Sequence, residues 1–189
     1  MHSLDYELRW YRDYSSLWGI IAFYFGGIMT RTFEKISFKQ FKNDIKGNKK
    51  LYDNYKLPTR KTTASAGYDF FAIEDFEINP GETKKIPTGI KAKYPNDEVL
   101  MIVVRSSMGF KWNVRMCNQV GIIDSDFYNN SDNEGHIWIA LQNHGDKVFK
   151  ASAGDGIAQG IFIKYYCVDE DKVETKRTGW TGKPEEGGK

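Results

Sequence analysis

Cysteine is scarce in this chain of 189 residues, and so is any imbalance of charge. Two cysteines, Cys117 and Cys167, exclude a disulfide framework and lack the paired spacing of a zinc site. A reducing, cytoplasmic setting is the expectation that follows. Three histidines, His2, His136 and His144, show no metal-ligand spacing. Lys plus Arg number 27 and Asp plus Glu 25, leaving +2, so no strongly basic face is implied and nucleic acid is not an expected partner. Long apolar runs are missing too. The most apolar stretch, LWGIIAFYFGGI at 17–28, is twelve residues long, short of the roughly 20 that a membrane-spanning helix needs. The residues before it carry three acids and two arginines and no small-residue cleavage site follows, which argues against a signal peptide. No membrane association is expected.

What the chain does contain is ordinary for a folded domain: 40% hydrophobic residues, 15% aromatic and 28% charged. Aromatic side chains together with 18 glycines favour strands and tight turns over a helical bundle. Gly26-Gly27-Ile28-Met29 can be encoded by a purine-rich ribosome-binding sequence ahead of a start codon. Met29 is therefore expected to be the natural start, with 1–28 a leader outside the native fold. From 29 to 56 the chain reads as an N-terminal helical segment. Ser37 with Gln40 three residues on forms a capping box, Ile36 and Phe41 form a hydrophobic staple, and Phe38, Phe41 and Ile45 share one face up to Gly47. One short amphipathic helix is predicted. Beyond about Leu57 the helical period disappears. The apolar run 99–104 has strand length and suggests a strand covered on both faces. Ile137, Ile139 and Leu141 alternate as on a half-buried strand. Turn residues at Pro80-Gly81, Pro95-Asn96 and 129–133 separate such runs, so a compact all-β domain is predicted over 57–176. The Gly-rich, polar stretch 177–189 reads as a mobile tail.

Residues that can carry chemistry fall in five places: Ser65 to Asp69, Arg105 to Gly109, Asn118 to Phe127, Gly154 to Gln159, and Arg177 with Gly179 and Trp180. Taken singly, each has a plain structural reading as a solvated turn, a hairpin or a satisfied half-buried amide. Cys117, with no base beside it, reads as a small core residue. Together they are more specific. Arg105 offers a planar fork of donors suited to phosphate oxygens, and Ser106, Ser107 and the backbone around Gly109 add short-range donors. Asp124 follows Ile122-Ile123 directly, so its carboxylate emerges from an apolar strand at a pocket edge, where it can hold and deprotonate a water.

AGYD at 66–69, RSSMG at 105–109, NQVGIIDSD at 118–126 and GDGIAQ at 154–159, with PTGI at 87–90 between the first two, resemble in order the motifs of the trimeric deoxyuridine triphosphatases. The likeness extends over about 57–180. It implies a jelly-roll or β-clip fold, a homotrimer with active sites shared between subunits, and hydrolysis of dUTP to dUMP and pyrophosphate with Mg²⁺. By position, Asp124 is then the residue that activates water against the α-phosphorus. Arg105, Ser106 and Ser107 grip phosphates, and Gln159 reaches them from a neighbouring subunit. Asp69 supports the metal through water. Asn118 and the hairpin through Gly121 accept uracil, Phe127 packs under the deoxyribose, Arg177 reaches the terminal phosphate and Trp180 stacks on the base.

Departures accompany the likeness. Gly156 stands where the family often has a basic residue, Phe127 replaces a tyrosine, and 128–134 reads as an insertion able to meet a regulatory partner. Only Arg177 and Gly179-Trp180 match the family's last motif. Two other readings stay open: a dCTP deaminase of the same fold, which needs a Glu beside the base that 118–127 does not supply, and a regulatory nucleotide-binding protein.

Overall fold

The computed structural model describes residues 30–175, 177 and 179, all but the first belonging to one contact unit, Arg31–Lys189. The expected leader 1–28 lies outside the described residues, as does the tail apart from Arg177 and Gly179.

The chain begins with β1 (Thr32–Lys35), then two short helices, α1 (Phe38–Asp44) and α2 (Lys49–Asn54). Strands β2 (Thr59–Arg60), β3 (Tyr68–Phe71), β4 (Phe76–Ile78), β5 (Thr83–Pro87), β6 (Ile90–Lys93) and β7 (Glu98–Val103) follow. A third helix, α3 (Ser106–Trp112), leads to β8 (Val114–Met116) and β9 (Gly121–Ile123), and a 3-10 turn covers Ser125–Phe127. The last strands are β10 (Trp138–Asn143), β11 (Phe149–Ala151) and β12 (Gly156–Lys164). They form a five-stranded sheet ordered β2-β3-β12-β7-β9, a three-stranded sheet β5-β10-β8, and the pairs β1-β6 and β11-β4. Each pairing among these twelve strands is antiparallel. The predicted all-β, jelly-roll-like class holds. Among the described residues no helix is long and apolar enough to cross a membrane.

One core joins the sheets, with Phe70, Ile78, Leu100, Ile139, Leu141 and Ile157 fully buried. Each such side chain contributes about 1.5–3 kcal/mol relative to exposure. A smaller cluster of Ile36, Phe41 and Ile73, with Leu51, Tyr52 and Tyr55 packed on it, seats the two N-terminal helices. The single predicted helix is thus two. Ser37 caps α1 as expected, its Oγ accepting from the Gln40 amide at 3.1 Å. The reciprocal half of the box is different: Gln40 Nε2 donates to Asp44, and the Ser37 amide donates to Glu134, far along the chain. The second helix, capped by Asn48, buries no residue of its own and so leaves no apolar stripe to read. Cys117 is exposed, which corrects the core reading, because it sits past the end of β8 at the hairpin tip.

The run 99–104 corrects in part as well. Glu98, Leu100 and Ile102 point inward, while Val99, Met101 and Val103 are only half-buried. Met101 is flanked in register by Ile122 and Ile161, and Val99 by Ile163. Ile122 is 57% exposed and Ile163 38%. Around β7 and β9 and the end of β12 the outer face of this sheet is therefore apolar and partly exposed in the single chain.

Candidate active site

Strand β9 ends at Ile123, and the chain turns out of the sheet at Asp124, whose extended backbone caps the 3-10 turn. The Asp124 side chain is 47% exposed. It stands on a cavity of about 240 Å³ lined also by Asn118, Gly121, Phe127, His136, Trp138 and Arg177. Asn118 sits in the β8–β9 hairpin, where Gln119 takes a positive φ of 61° and the chain reverses tightly. Phe127 is buried and forms part of the apolar floor. Tyr94, buried below, donates its hydroxyl to the Ile123 carbonyl and so fixes the strand end that carries Asp124. Burial pushes the Tyr94 phenol well above its ordinary range, which keeps it a neutral donor.

Arg177 is tied to this cavity. Its guanidinium pairs with Asp124, lies 3.0 Å from Asp126 Oδ1, and sits 5.9 Å from the centre of the Phe127 ring. Gly179 lies against Asp132. Trp180 is outside the described residues.

The remaining predicted residues gather elsewhere. Asp69 on β3 faces Gln159 on β12, which faces Val103 on β7, so the two polar side chains share one row of the sheet. Arg105, two residues beyond Val103, turns back to Asp69 with Nε 3.1 Å from Oδ1. Gly156 makes room for it: a Cβ there would stand 2.6 Å from Arg105 Nη1. The position that lacks the family's frequent basic residue is thus occupied by Arg105 itself. Ser106 and Ser107 open α3, both exposed. Gly109 differs from expectation: its amide is spent inside the helix, donating to the Arg105 carbonyl at 3.4 Å. Arg105, the two serines and Gln159 supply the side-chain donors of this cluster.

The two clusters lie at opposite ends of β7. Leu100 faces Ile123, which puts Asp124 level with Val99, whereas Arg105 follows Val103. At about 3.3 Å per residue the separation is roughly 20 Å. One chain does not bring Asp124 and Arg105 to the same phosphorus.

Sequence reasoning missed His136 and Trp138, because a lone histidine beside an alternating strand carries no spacing signal. His136 is fully buried. Its Nε2 accepts from the Gly89 amide at 2.8 Å, which leaves the proton on Nδ1, 2.5 Å from Asp44 Oδ2. Burial depresses its pKa below the ordinary 6.5, against the opposing pull of Asp44. The insertion 128–134 also proves more inward than expected. Asn130 and Asn133 are buried in it, and only Ser131, Asp132 and Asn129 are exposed.

Among the described residues no three His, Cys, Asp or Glu side chains converge as a metal cage. The donor set suits Mg²⁺ in a different manner, since that ion is commonly bound by one or two carboxylates with phosphates and waters. Asp69, 15% exposed beside Arg105, is such a single carboxylate.

Comparison with known proteins agrees with these motifs. A family model described as dUTPase matches residues 53–185. A deoxyuridine 5'-triphosphate nucleotidohydrolase of Lactococcus lactis subsp. lactis is 42% identical over 128 residues, covering 67% of this chain and 85% of that protein. The corresponding protein of Actinobacillus succinogenes is 41% identical over 112 residues, covering 58% and 70%. The crystal structure of dUTPase from Streptococcus mutans superposes with a TM-score of 0.60 at 36% identity, over 72% of this chain and 98% of that one. A dUTPase from phage phi11 of S. aureus, 19% identical with a TM-score of 0.58 over 77% and 96%, shares the fold. With a match across most of its length and the motifs standing on the strands and hairpin described above, the chain belongs to the dUTPase family.

Proposed function

We propose that this chain hydrolyses dUTP to dUMP and pyrophosphate, with Asp124 as the base that takes a proton from the attacking water. The observation that carries the reading is the Asp124 carboxylate at the mouth of a cavity headed by the Asn118 hairpin and floored by Phe127. Among the described residues no glutamate lines that cavity, which weighs against deamination of dCTP.

The reaction runs as in-line displacement. Water, oriented by Asp124, attacks the α-phosphorus, the α–β bridging oxygen leaves with pyrophosphate, and the water proton passes to the carboxylate. The protein's contribution is mostly positioning and neutralisation of charge. Arg105 grips the phosphates with Ser106, Ser107 and Gln159. Asp69 would hold Mg²⁺ through water, and the bound ion supplies charge neutralisation for the triphosphate. Asn118 and the backbone to Gly121 read the uracil edge. A cytosine would leave their polar groups unpaired at a cost of about 1–3 kcal/mol each. Phe127 gives the sugar an apolar floor with nothing to receive a 2′-hydroxyl. Arg177 exchanges its carboxylate partners for the terminal phosphate, and Trp180 stacks on the base.

A homotrimer with shared sites is part of this proposal. The roughly 20 Å between Asp124 and Arg105 supports it, since a second copy must supply the phosphate cluster to each base. The apolar row of exposed Ile122 and half-buried Met101 and Ile161 supports it too, as a face suited to a partner subunit. Free, exposed Cys117 and Cys167 support a reducing, cytoplasmic setting. A regulatory partner at 128–134 has less support, because Tyr128 and Glu134 bond the chain's own N-terminal segment.

The test is a panel of dUTP, dCTP, dTTP and UTP with Mg²⁺, assayed for monophosphate and pyrophosphate. Release from dUTP alone is expected. Replacing Asp124→Asn should lower kcat by roughly 10²–10⁴. Undiminished turnover in that variant would remove Asp124 from the base role, and ammonia from dCTP would reverse the choice of reaction.

A further inference from the structure

The segment from β1 to α2 lies almost wholly ahead of the region 53–185 that matches the family, yet its side chains converge on one loop. That loop runs from the 3-10 turn after Asp124 to His136. Glu134 accepts from the Ser37 amide at 2.8 Å and from its hydroxyl at 2.5 Å, completing the cap of α1. Tyr128 donates its hydroxyl to Glu34 on β1 at 2.8 Å. Asp44, at the last turn of α1, accepts a hydrogen bond from His136 Nδ1–H and is itself held by Gln40 at 3.0 Å.

Within the loop the bonds continue toward the cavity. Asn133 Nδ2 reaches the His136 carbonyl at 3.3 Å, its Oδ1 accepts from Asn130, and Asn130 Nδ2 bonds the Phe127 carbonyl at 2.8 Å. Every member of this chain of bonds from Asp44 to Phe127 is at least half-buried, and His136 also forms cavity wall. Burial makes such a network stiff, because leaving any member unpaired is costly.

We infer that Asp44 and Glu134 are positioning residues for the reaction: through His136, Asn133 and Asn130 the N-terminal segment sets the placement of Phe127 and the adjoining Asp124. This rests on the base role proposed for Asp124, and it adds residues that touch neither nucleotide nor water. A displacement of the reacting groups by about 1 Å is enough to cost roughly a hundredfold in rate, so a modest loosening of the loop is expected to register.

The experiment compares Asp44→Asn, Glu134→Gln and Ser37→Ala with the unaltered chain, reading kcat and KM for dUTP separately together with backbone amide chemical shifts of 125–127. Asp44→Asn should lower kcat about 5- to 50-fold with KM moved less than about threefold, and should shift those amides. Glu134→Gln, which retains an acceptor for Ser37, should fall between it and wild type. Ser37→Ala keeps the backbone donor and should change kcat least. If Asp44→Asn does not fold, the graded order of the other two decides. Lower melting temperature with unchanged kcat and unmoved 125–127 amides would overturn the inference, reducing the segment to scaffold. Absence of dUTP turnover in the unaltered chain would instead sink the proposed function, and the amide shifts would still judge the link.

Discussion

His136 shows how much a single side chain carries here. It is neutral, its two nitrogens are committed to a donor on one side and a carboxylate on the other, and protonation would set a second N–H against the Gly89 amide. Because burial lowers its pKa in the folded chain, the unfolded chain takes up the proton first as pH falls. The associated stability is complete above the ordinary value of 6.5 and is lost as pH drops below it toward the depressed folded value. The loss has a limiting slope of about 1.4 kcal/mol per pH unit. Urea unfolding from pH 7.5 downward should show it, and His136→Gln should flatten that part of the curve. Identical acid slopes in the two proteins would contradict the assignment. None of this was legible beforehand. A histidine's partners, Gly89 and Asp44, lie 47 and 92 residues away, and no local pattern announces them. Asp124 and Arg105 stand out as candidates in the sequence because each lies in a contiguous motif.

At the level of elements, local signals and long-range ones part company. The capping serine of α1 and the alternation of β10 depend on near neighbours, and both stand as expected. The string RSSMG reads as a turn because it places small residues and a glycine where a helix is only weakly favoured; the Asn113 left-handed C-cap and the packing of Met108 make α3 helical. The turn between β5 and β6 illustrates the tertiary demand on a single position. Gly89 has φ +69°, its carbonyl accepts from Tyr55 Oη at 2.8 Å, and a Cβ there would stand 2.8 Å from the Tyr55 ring. Gly89→Ala should therefore cost about 3 kcal/mol, combining left-handed strain with overpacking against α2. Thermal unfolding is the measurement, and a change under about 1 kcal/mol would show that the Tyr55 ring yields freely.

For the whole molecule, the decisive fact is register. The β7–β9 and β7–β12 pairings separate Asp124 from Arg105, and no sequence motif reports which residues face each other across strands. The motifs supply the candidate residues but do not reveal that one chain holds them apart. The proposed sharing of sites between subunits leads to a direct expectation. Asp124→Asn and Arg105→Ala should each be nearly inactive alone, but co-expressed they should recover about a quarter of wild-type activity, the fraction of interfaces joining two intact halves under random assembly. Activity no greater than that of the separate variants would mean that each chain works by itself. Sedimentation of the mixture would verify that the subunits had combined.

Strand β7, six residues from Glu98 to Val103, is in this light a ruler. Under the proposed function, its length fixes the spacing between a base that would serve one centre and an anion clamp that would serve the next. A residue inserted into or removed from it would miscalibrate adjacent centres simultaneously, so their geometries are obliged to change in concert.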